Sequence, residues 1–231
     1  MLVEPGRILS YIEMCAAEGA NLQRGMNFRL HGGLSVILMS RRSNAPYTDK
    51  ILEDGKVLVY EGHNAPRSEE LPNPKVVDQP MNYPSRSLTQ NGLFYKAAMD
   101  FKKHVCQPEL VKVYEKIHPG IWVFNGFFEL KDAWREDIDN RLVFKFKLEL
   151  NEDIGSRKNN ISISHNRMIP SLVKLEVWKR DNGRCVKCGS KTNLHFDHII
   201  PFSKGGSSLI ANNIQLLCAR HNLEKRDNIQ Y

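Results

Sequence analysis

No run in the 231 residues stays apolar and uncharged over the roughly 18–20 positions that a membrane-spanning helix needs. Glu4, Pro5 and Arg7 interrupt the first seven positions, so a secretory leader is not expected and the expected compartment is the cytoplasm. Cysteine is scarce as well. Five residues are too few and too unevenly spaced for a disulfide scaffold. Cys15 and Cys106 stand alone and read as small buried hydrophobes. Internal repeats and low-complexity tracts are missing. With 41% hydrophobic and 26% charged residues, the composition is that of a globular chain, which excludes disordered and collagen-like classes.

The formal net charge of +7 is unevenly distributed. Residues 161–231 hold 11 Lys and Arg against 5 Asp and Glu, giving +6, whereas residues 1–160 hold 22 against 21, giving +1. A compact basic region suits a polyanion such as nucleic acid. The remaining cysteines, Cys185, Cys188 and Cys218, lie in that same region.

Hydrophobic periodicity predicts a helix over residues 8–20, with Ile8, Ile12 and Cys15 on one face and Gly19 at its end. The runs ending at Met39 and Tyr60 read as strands, and Gln90 to Lys103 as a helix entered through Thr89 or Asn91. Strands follow at Val111–Ile117 and at Ile121–Leu130, the latter as one element or two. Leu142, Phe144, Phe146, Leu148 and Leu150 alternate with Arg141, Lys145, Lys147 and Glu149, which predicts a strand with one solvated face. Several such strands suggest a mixed or antiparallel barrel. Five prolines in residues 61–87 mark a long loop. Polar residues 151–168 read as a linker, dividing the chain into 1–155, a linker at 156–170, and 171–231.

Cys185-x-x-Cys188-Gly189 and Cys218-x-x-His221 form two knuckle halves. Four soft ligands in two pairs close a tetrahedral structural Zn²⁺ site. Between the halves stand His195-Phe196-Asp197-His198-Ile199-Ile200-Pro201, Ser203-Lys204-Gly205-Gly206 and Asn212-Asn213-Ile214-Gln215-Leu216-Leu217. Beyond them comes Asn222-x-x-Lys225. Over about residues 173–228 this text resembles the HNH nucleases and their ββα-metal motif. The resemblance implies that Asp197 and Asn222 hold a catalytic Mg²⁺ or Mn²⁺, that His198 is the general base, and that Asn213 orders the loop behind it. A carboxylate and an amide oxygen are hard donors suited to such ions, and a neutral imidazole accepts a proton from water at neutral pH. His195 reads as structural or as a phosphate contact. Lys204 and Lys225 are candidates for DNA-phosphate contact.

Residues 1–150 carry no comparable acid–base set. His31-Gly32, Tyr47-x-Asp49, Gly55, Tyr60-x-Gly62, Leu88-Thr89-x-Asn91-Gly92, Gly120-Ile121-Trp122 and Phe144-x-Phe146-x-Leu148 nevertheless resemble the SRA (SET and RING associated) domains. The resemblance implies an SRA/PUA-like β-barrel that flips a modified cytosine out of the duplex. Tyr47 and Tyr60 would sandwich the base, and Asp49 would accept from its N4 amine. His31, Arg41 and Arg42 are candidates for the DNA backbone, with plain surface exposure the alternative for the two arginines. Gln79 with the Pro-rich loop is a candidate to enter the gap left by the flipped base.

The combined expectation is an α+β chain. An SRA/PUA-like barrel with flanking helices precedes a small zinc-stabilised ββα-metal domain. The implied activity is endonucleolytic cutting of double-stranded DNA that carries 5-methylcytosine or 5-hydroxymethylcytosine. One HNH site cuts one strand, so a double-strand break takes two protomers or two events, and a homodimer is expected. Two rivals stay open at this point: a nuclease indifferent to modification that recognises DNA or RNA, and a non-catalytic zinc-dependent DNA reader.

Overall fold

The computed structural model describes residues 3–41, 45, 47–52, 55–151, 168–226 and 228–229. The chain enters as a short strand, β1 (Ile8–Ser10), and turns at Ser10 into helix α1 (Tyr11–Glu18). The Ser10 hydroxyl accepts from the Glu13 N–H and the Glu13 carboxylate accepts from the Ser10 N–H, a reciprocal cap. This cap starts the helix after Ser10 and resets its buried face. Ile8 therefore lies in β1, Ile12 is 78% exposed, and Met14 makes the buried contact that Ile12 was expected to make. Cys106 is exposed, against the expectation of a buried hydrophobe.

Seven further strands join β1 in one sheet. They are β2 (Met26–Asn27), β3 (Ser35–Met39), β4 (Lys50–Leu52), β5 (Val57–Glu61), β6 (Glu109–His118), β7 (Ile121–Ile138) and β8 (Arg141–Leu150). Their order is β2-β3-β6-β7-β8-β5-β4, with β1 paired to β7. Among the described residues, β3 and β6 are the one pair in this sheet that runs parallel. Three strands separate β3 from β5 in that order, yet the two meet in space. The Tyr60 hydroxyl donates to the Leu38 carbonyl at 3.4 Å, and the Ser40 N–H donates to Asp49 Oδ2 at 3.3 Å. Ile37, Leu58, Phe128 and Phe146 consequently share one core with Phe94 of helix α2 (Gln90–Lys102). The sheet wraps around that core, as the barrel expectation requires. Thr89 caps α2 by accepting from the Gly92 N–H.

Two strand readings change. β7 runs on through Lys131-Asp132-Ala133-Trp134-Arg135-Glu136-Asp137-Ile138, a polar stretch that hides its strand character because much of it faces solvent. On β8, Arg141 and Lys145 are buried rather than solvated. Lys145 Nζ lies 2.9 Å from Glu61 Oε2 and Arg141 lies 3.6 Å from Glu61 Oε1.

The C-terminal part comprises α3 (Ser171–Arg180), a two-stranded antiparallel sheet of β9 (Leu194–His198) and β10 (Ile214–Cys218), and α4 (Ala219–Lys225). Most of the expected linker, from residue 156 to residue 167, lies outside the described residues.

Candidate nuclease site, metal centre and base pocket

β9 carries Asp197 and His198 at its C-terminal end, and β10 holds them in register, with Gln215 opposite Asp197 and Ile214 opposite His198. Adjacent strand side chains diverge, and these two find different partners. Asp197 Oδ2 lies 3.0 Å from Lys225 Nζ and accepts from Gln215 Nε2 at 3.4 Å. His198 Nε2 lies 2.8 Å from the hydroxyl of Ser208, which is buried. Sequence reasoning missed Ser208, because a serine in a Gly-Ser loop carries no periodic or spacing signal.

The local electrostatics follow from burial. Loss of solvent pushes the His198 imidazole down to about 4, with the Lys225 ammonium acting in the same direction. The ring is therefore neutral at pH 7 and able to accept a proton. Burial raises the Asp197 carboxyl above the usual range, and Lys225 opposes that rise.

Asn213 fixes the segment between the two strands. Its Oδ1 accepts from the Ile200 N–H at 2.8 Å, and its Nδ2 donates to the carbonyls of Ile200 and Ser207 at 3.0 Å each. Gly206 is packed so closely there that a Cβ would sit 1.8 Å from the Ile200 carbonyl oxygen. Asn213 thus ties the Ile200 and Ser207 main chain together beside His198.

Asn222 and Lys225 stand three apart on α4, where side chains share a face. Because Lys225 reaches Asp197, α4 presents that face to β9, and Asn222 is half-buried beside it. One carboxylate and one amide suit a hard divalent cation. Lys225, expected at the DNA backbone, is instead buried, with 1% of its side chain exposed, and is spent on Asp197. Lys204 is exposed. Arg180, another cation of the basic region, is exposed but donates to the carbonyls of Ala211 and Ile214.

Cys185, Cys188, Cys218 and His221 converge, with all four ligand atoms within 4.8 Å of one another. The Cys188 and Cys218 sulfurs are 3.8 Å apart, and His221 Nδ1 lies 3.3 Å from Cys185 Sγ and 3.4 Å from Cys218 Sγ. Zinc bonds of about 2.3 Å to sulfur and 2.0–2.1 Å to nitrogen place tetrahedral ligand atoms roughly 3.5–3.8 Å apart. The donor set fits such an ion.

At the wrapped end of the sheet lies a cavity of about 640 Å³, lined by Tyr47, Asp49, Tyr60, His63, Arg24 and Trp122 among others. The three expected pocket residues are brought together, but not in the expected arrangement. Tyr60 is 1% exposed and its ring belongs to the core. The ring parallel to Tyr47 is that of His63, with centroids 5.4 Å apart and planes 17° apart. His63 Nε2 in turn lies 3.2 Å from the Tyr60 hydroxyl. Sequence reasoning passed over His63 because a lone histidine after Tyr60-Glu61-Gly62 has no spacing signature.

Asp49 is buried and accepts from the backbone N–H groups of Glu61 and Ser40. Burial pushes its carboxyl up to about 7. Gln79 is also buried. It donates to the Gly62 carbonyl at 2.6 Å and accepts from the Phe144 N–H at 2.7 Å. Its amide is thus committed to the main chain of β8 and of the residue after β5, and does not project outward as entry into DNA would need. His31 and Arg41 are exposed, and Arg42 lies outside the described residues.

Residues 185–228 match the family model of the HNH endonucleases. No curated protein matches the chain. Among solved structures, one similar in fold is the SUVH5 SRA domain bound to fully hydroxymethylated CG DNA, at 22% identity and a TM-score of 0.47, covering 64% of this chain and 89% of that one. The same domain with hemimethylated CG DNA aligns at 23% identity and a TM-score of 0.46, covering 64% and 89%. Arabidopsis thaliana SUVH6 in complex with SAM aligns at 20% identity and a TM-score of 0.43, covering 86% of this chain and 32% of that one. The molecule is a mixed α+β chain in which an HNH endonuclease region follows a sheet-rich N-terminal part.

Proposed function

We propose that the protein is a modification-dependent DNA endonuclease, in which the N-terminal pocket receives a flipped cytosine modified at C5 and the C-terminal site hydrolyses a nearby phosphodiester bond. The observation that carries the nuclease half is the end of β9. There Asp197 and His198 sit side by side with Asn222 on the facing helix, inside the segment that matches the HNH family.

A divalent ion bound by Asp197 and Asn222 would neutralise charge that grows on the phosphate and on the leaving 3′ oxygen. The chain's own groups do the rest. His198, anchored through Nε2 to Ser208, takes the proton of the attacking water at Nδ1. Asn213 keeps the loop carrying Ser208 closed against β9. Water adds to phosphorus and the bond to the 3′ oxygen breaks, giving 5′-phosphate and 3′-hydroxyl ends. Cys185, Cys188, Cys218 and His221 would hold a Zn²⁺ ion, which would tie β10 and α4 to the knuckle.

In the pocket, Tyr47 supplies a stacking face and Asp49 an acceptor for the N4 amine. The Tyr47–His63 spacing admits no third ring, so an entering base displaces His63. A double-strand break needs two protomers or two successive events, and a homodimer is the expected working unit.

Digestion of methylated, hydroxymethylated and unmodified copies of one plasmid with Mg²⁺ or Mn²⁺ tests the reading. Cutting confined to the modified copies is expected. Equal cutting of all three at every enzyme level removes the reader assignment, and no cutting of any removes the nuclease.

A further inference from the structure

The two halves of the molecule share buried structure at three places. The first is a charged joint. Lys174 of α3 is 2% exposed, and its Nζ lies 2.6 Å from Glu115 Oε2 on β6 and 2.6 Å from Asn125 Oδ1 on β7. Asn125 Nδ2 donates to the same Glu115 oxygen at 3.1 Å, and Glu115 is 1% exposed. A lysine and a glutamate this deep persist only when each satisfies the other, so the joint has one geometry.

The second place is apolar. Ile8, Ile117 and Val123 of the sheet pack in one cluster with Val173, Phe196 and Leu216 of the C-terminal part. A continuous hydrophobic contact of this kind opposes the relative motion that is the default between domains. The third is a stitch of main chain. The Gly6 N–H donates to the Phe124 carbonyl on β7 at 2.8 Å, while its own carbonyl accepts from the Phe196 N–H on β9 at 3.0 Å. Arg7 bridges His195 in the same antiparallel sense. Gly6 adopts φ +84°, and a Cβ there would approach the Phe196 carbonyl oxygen to 3.0 Å.

The joint connects directly to the nuclease strands. At the C-terminal end of α3, Arg180 donates to the Ile214 carbonyl at 2.7 Å and Asp181 accepts from the Leu216 N–H at 2.9 Å. Ile214 is the ladder partner of His198. On the other side Glu115 is followed by Lys116, which lines the base pocket and lies over the Trp122 ring.

We propose that Glu115, Asn125 and Lys174, with the Gly6–Arg7 stitch, fix the nuclease site at one offset from the base pocket. The cut then falls at one defined phosphodiester from the modified base, whatever the length of the segment between residues 151 and 168. The proposal rests on the reader-and-nuclease assignment above. It makes the cut distance a property of the interface and not of a tether.

The test maps cut positions at nucleotide resolution on a duplex with a single modified cytosine, using the full zinc-loaded chain. Three proteins are compared: the unaltered chain, a variant with six Gly/Ser residues inserted between Asn159 and Asn160, and Lys174→Ala. The unaltered and insertion proteins are expected to cut at the same single position, and Lys174→Ala to spread its cuts over several. A shifted or broadened pattern in the insertion variant overturns the proposal.

Calorimetry of the same proteins supplies a readout that needs no cleavage and covers the case of a poorly folding Lys174→Ala. The joint predicts one unfolding transition for the unaltered and insertion chains. Two separate transitions in the unaltered chain overturn it. Indiscriminate cutting of unmodified DNA together with a single transition removes the reader assignment and leaves the joint standing.

Discussion

Lys225 Nζ lies 3.0 Å from Asp197 Oδ2, and the same ammonium bears on His198, two side chains that diverge from neighbouring positions of β9. The lysine therefore balances the charge of the carboxylate and disfavours protonation of the imidazole. Replacing Lys225 by Met leaves Asp197 without its buried counter-charge, a loss of roughly 3–5 kcal/mol of stability. Mn²⁺ or Mg²⁺ is expected to return part of that loss, because the ion takes the same carboxylate. Urea unfolding with and without the ion measures both terms. An identical loss in each condition shows that Asp197 is not a metal ligand.

His198→Ala is expected to abolish cleavage while leaving DNA affinity unchanged. Ser208→Ala frees the ring that the hydroxyl anchors at 2.8 Å. It is expected to lower kcat by roughly 10- to 100-fold with little change in KM, as for other partners that orient a functional histidine. Single-turnover cleavage and equilibrium binding on one duplex separate the two variants. Full activity in Ser208→Ala assigns that bond to packing alone.

On the proposed reading, zinc at the knuckle would hold the fold and a second divalent ion would act at Asp197 and Asn222, so removing each has a different consequence. A chelator selective for zinc, or Cys188→Ser, is expected to stop cleavage in a way that excess Mg²⁺ does not restore, since β10 and α4 lose their anchor. Re-addition of Zn²⁺ is expected to restore the chelated protein but not the variant. Zinc content measured alongside activity decides it.

Tyr47→Ala removes the stacking face and is expected to cost about 1–3 kcal/mol of binding to a duplex with a modified cytosine, with no change for an unmodified duplex. His63→Ala is expected to do the reverse and tighten binding, because the ring beside Tyr47 no longer has to move. Titrations of matched duplexes at constant salt distinguish the two. Weaker binding by His63→Ala makes that ring a wall of the pocket.

The Asp49 carboxyl, pushed up to about 7 by burial, is charged above that pH and neutral below it. If the carboxylate accepts from the cytosine amine, affinity for modified DNA is full above about pH 7 and declines as the pH falls through that value. Asp49→Asn keeps a neutral acceptor and is expected to flatten the profile. A flat profile in the unaltered protein takes Asp49 out of base recognition.

Much of this was legible in the residues, for identifiable reasons. Strand β8 announces itself because Phe144, Phe146 and Leu148 alternate without interruption, and α2 because Thr89 is a strong cap. The knuckle pairs are readable from the Cys-x-x-Cys and Cys-x-x-His spacing that a metal site would demand, and Asp197-His198 only from the resemblance of the surrounding text to the HNH motif. What stayed hidden depends on contacts across long separations. Lys145 and Arg141 look like a solvated face until Glu61, 84 positions from Lys145, is seen to neutralise them. The second half of β7 is polar because it is exposed, which removes the hydrophobic signal but not the ladder to β8. Lys225 reads as one more surface cation, and only the fold turns it inward.

The stitch at Gly6 bears on how portable the nuclease is. A fragment beginning at residue 168 would retain every zinc ligand and the whole of β9, β10 and α4, yet the Phe196 amide would lose its acceptor. The apolar side of the fragment that Ile8, Ile117 and Val123 cover would face water. Grafting these sixty-odd residues onto a different domain therefore means carrying across a strand from the opposite end of the chain.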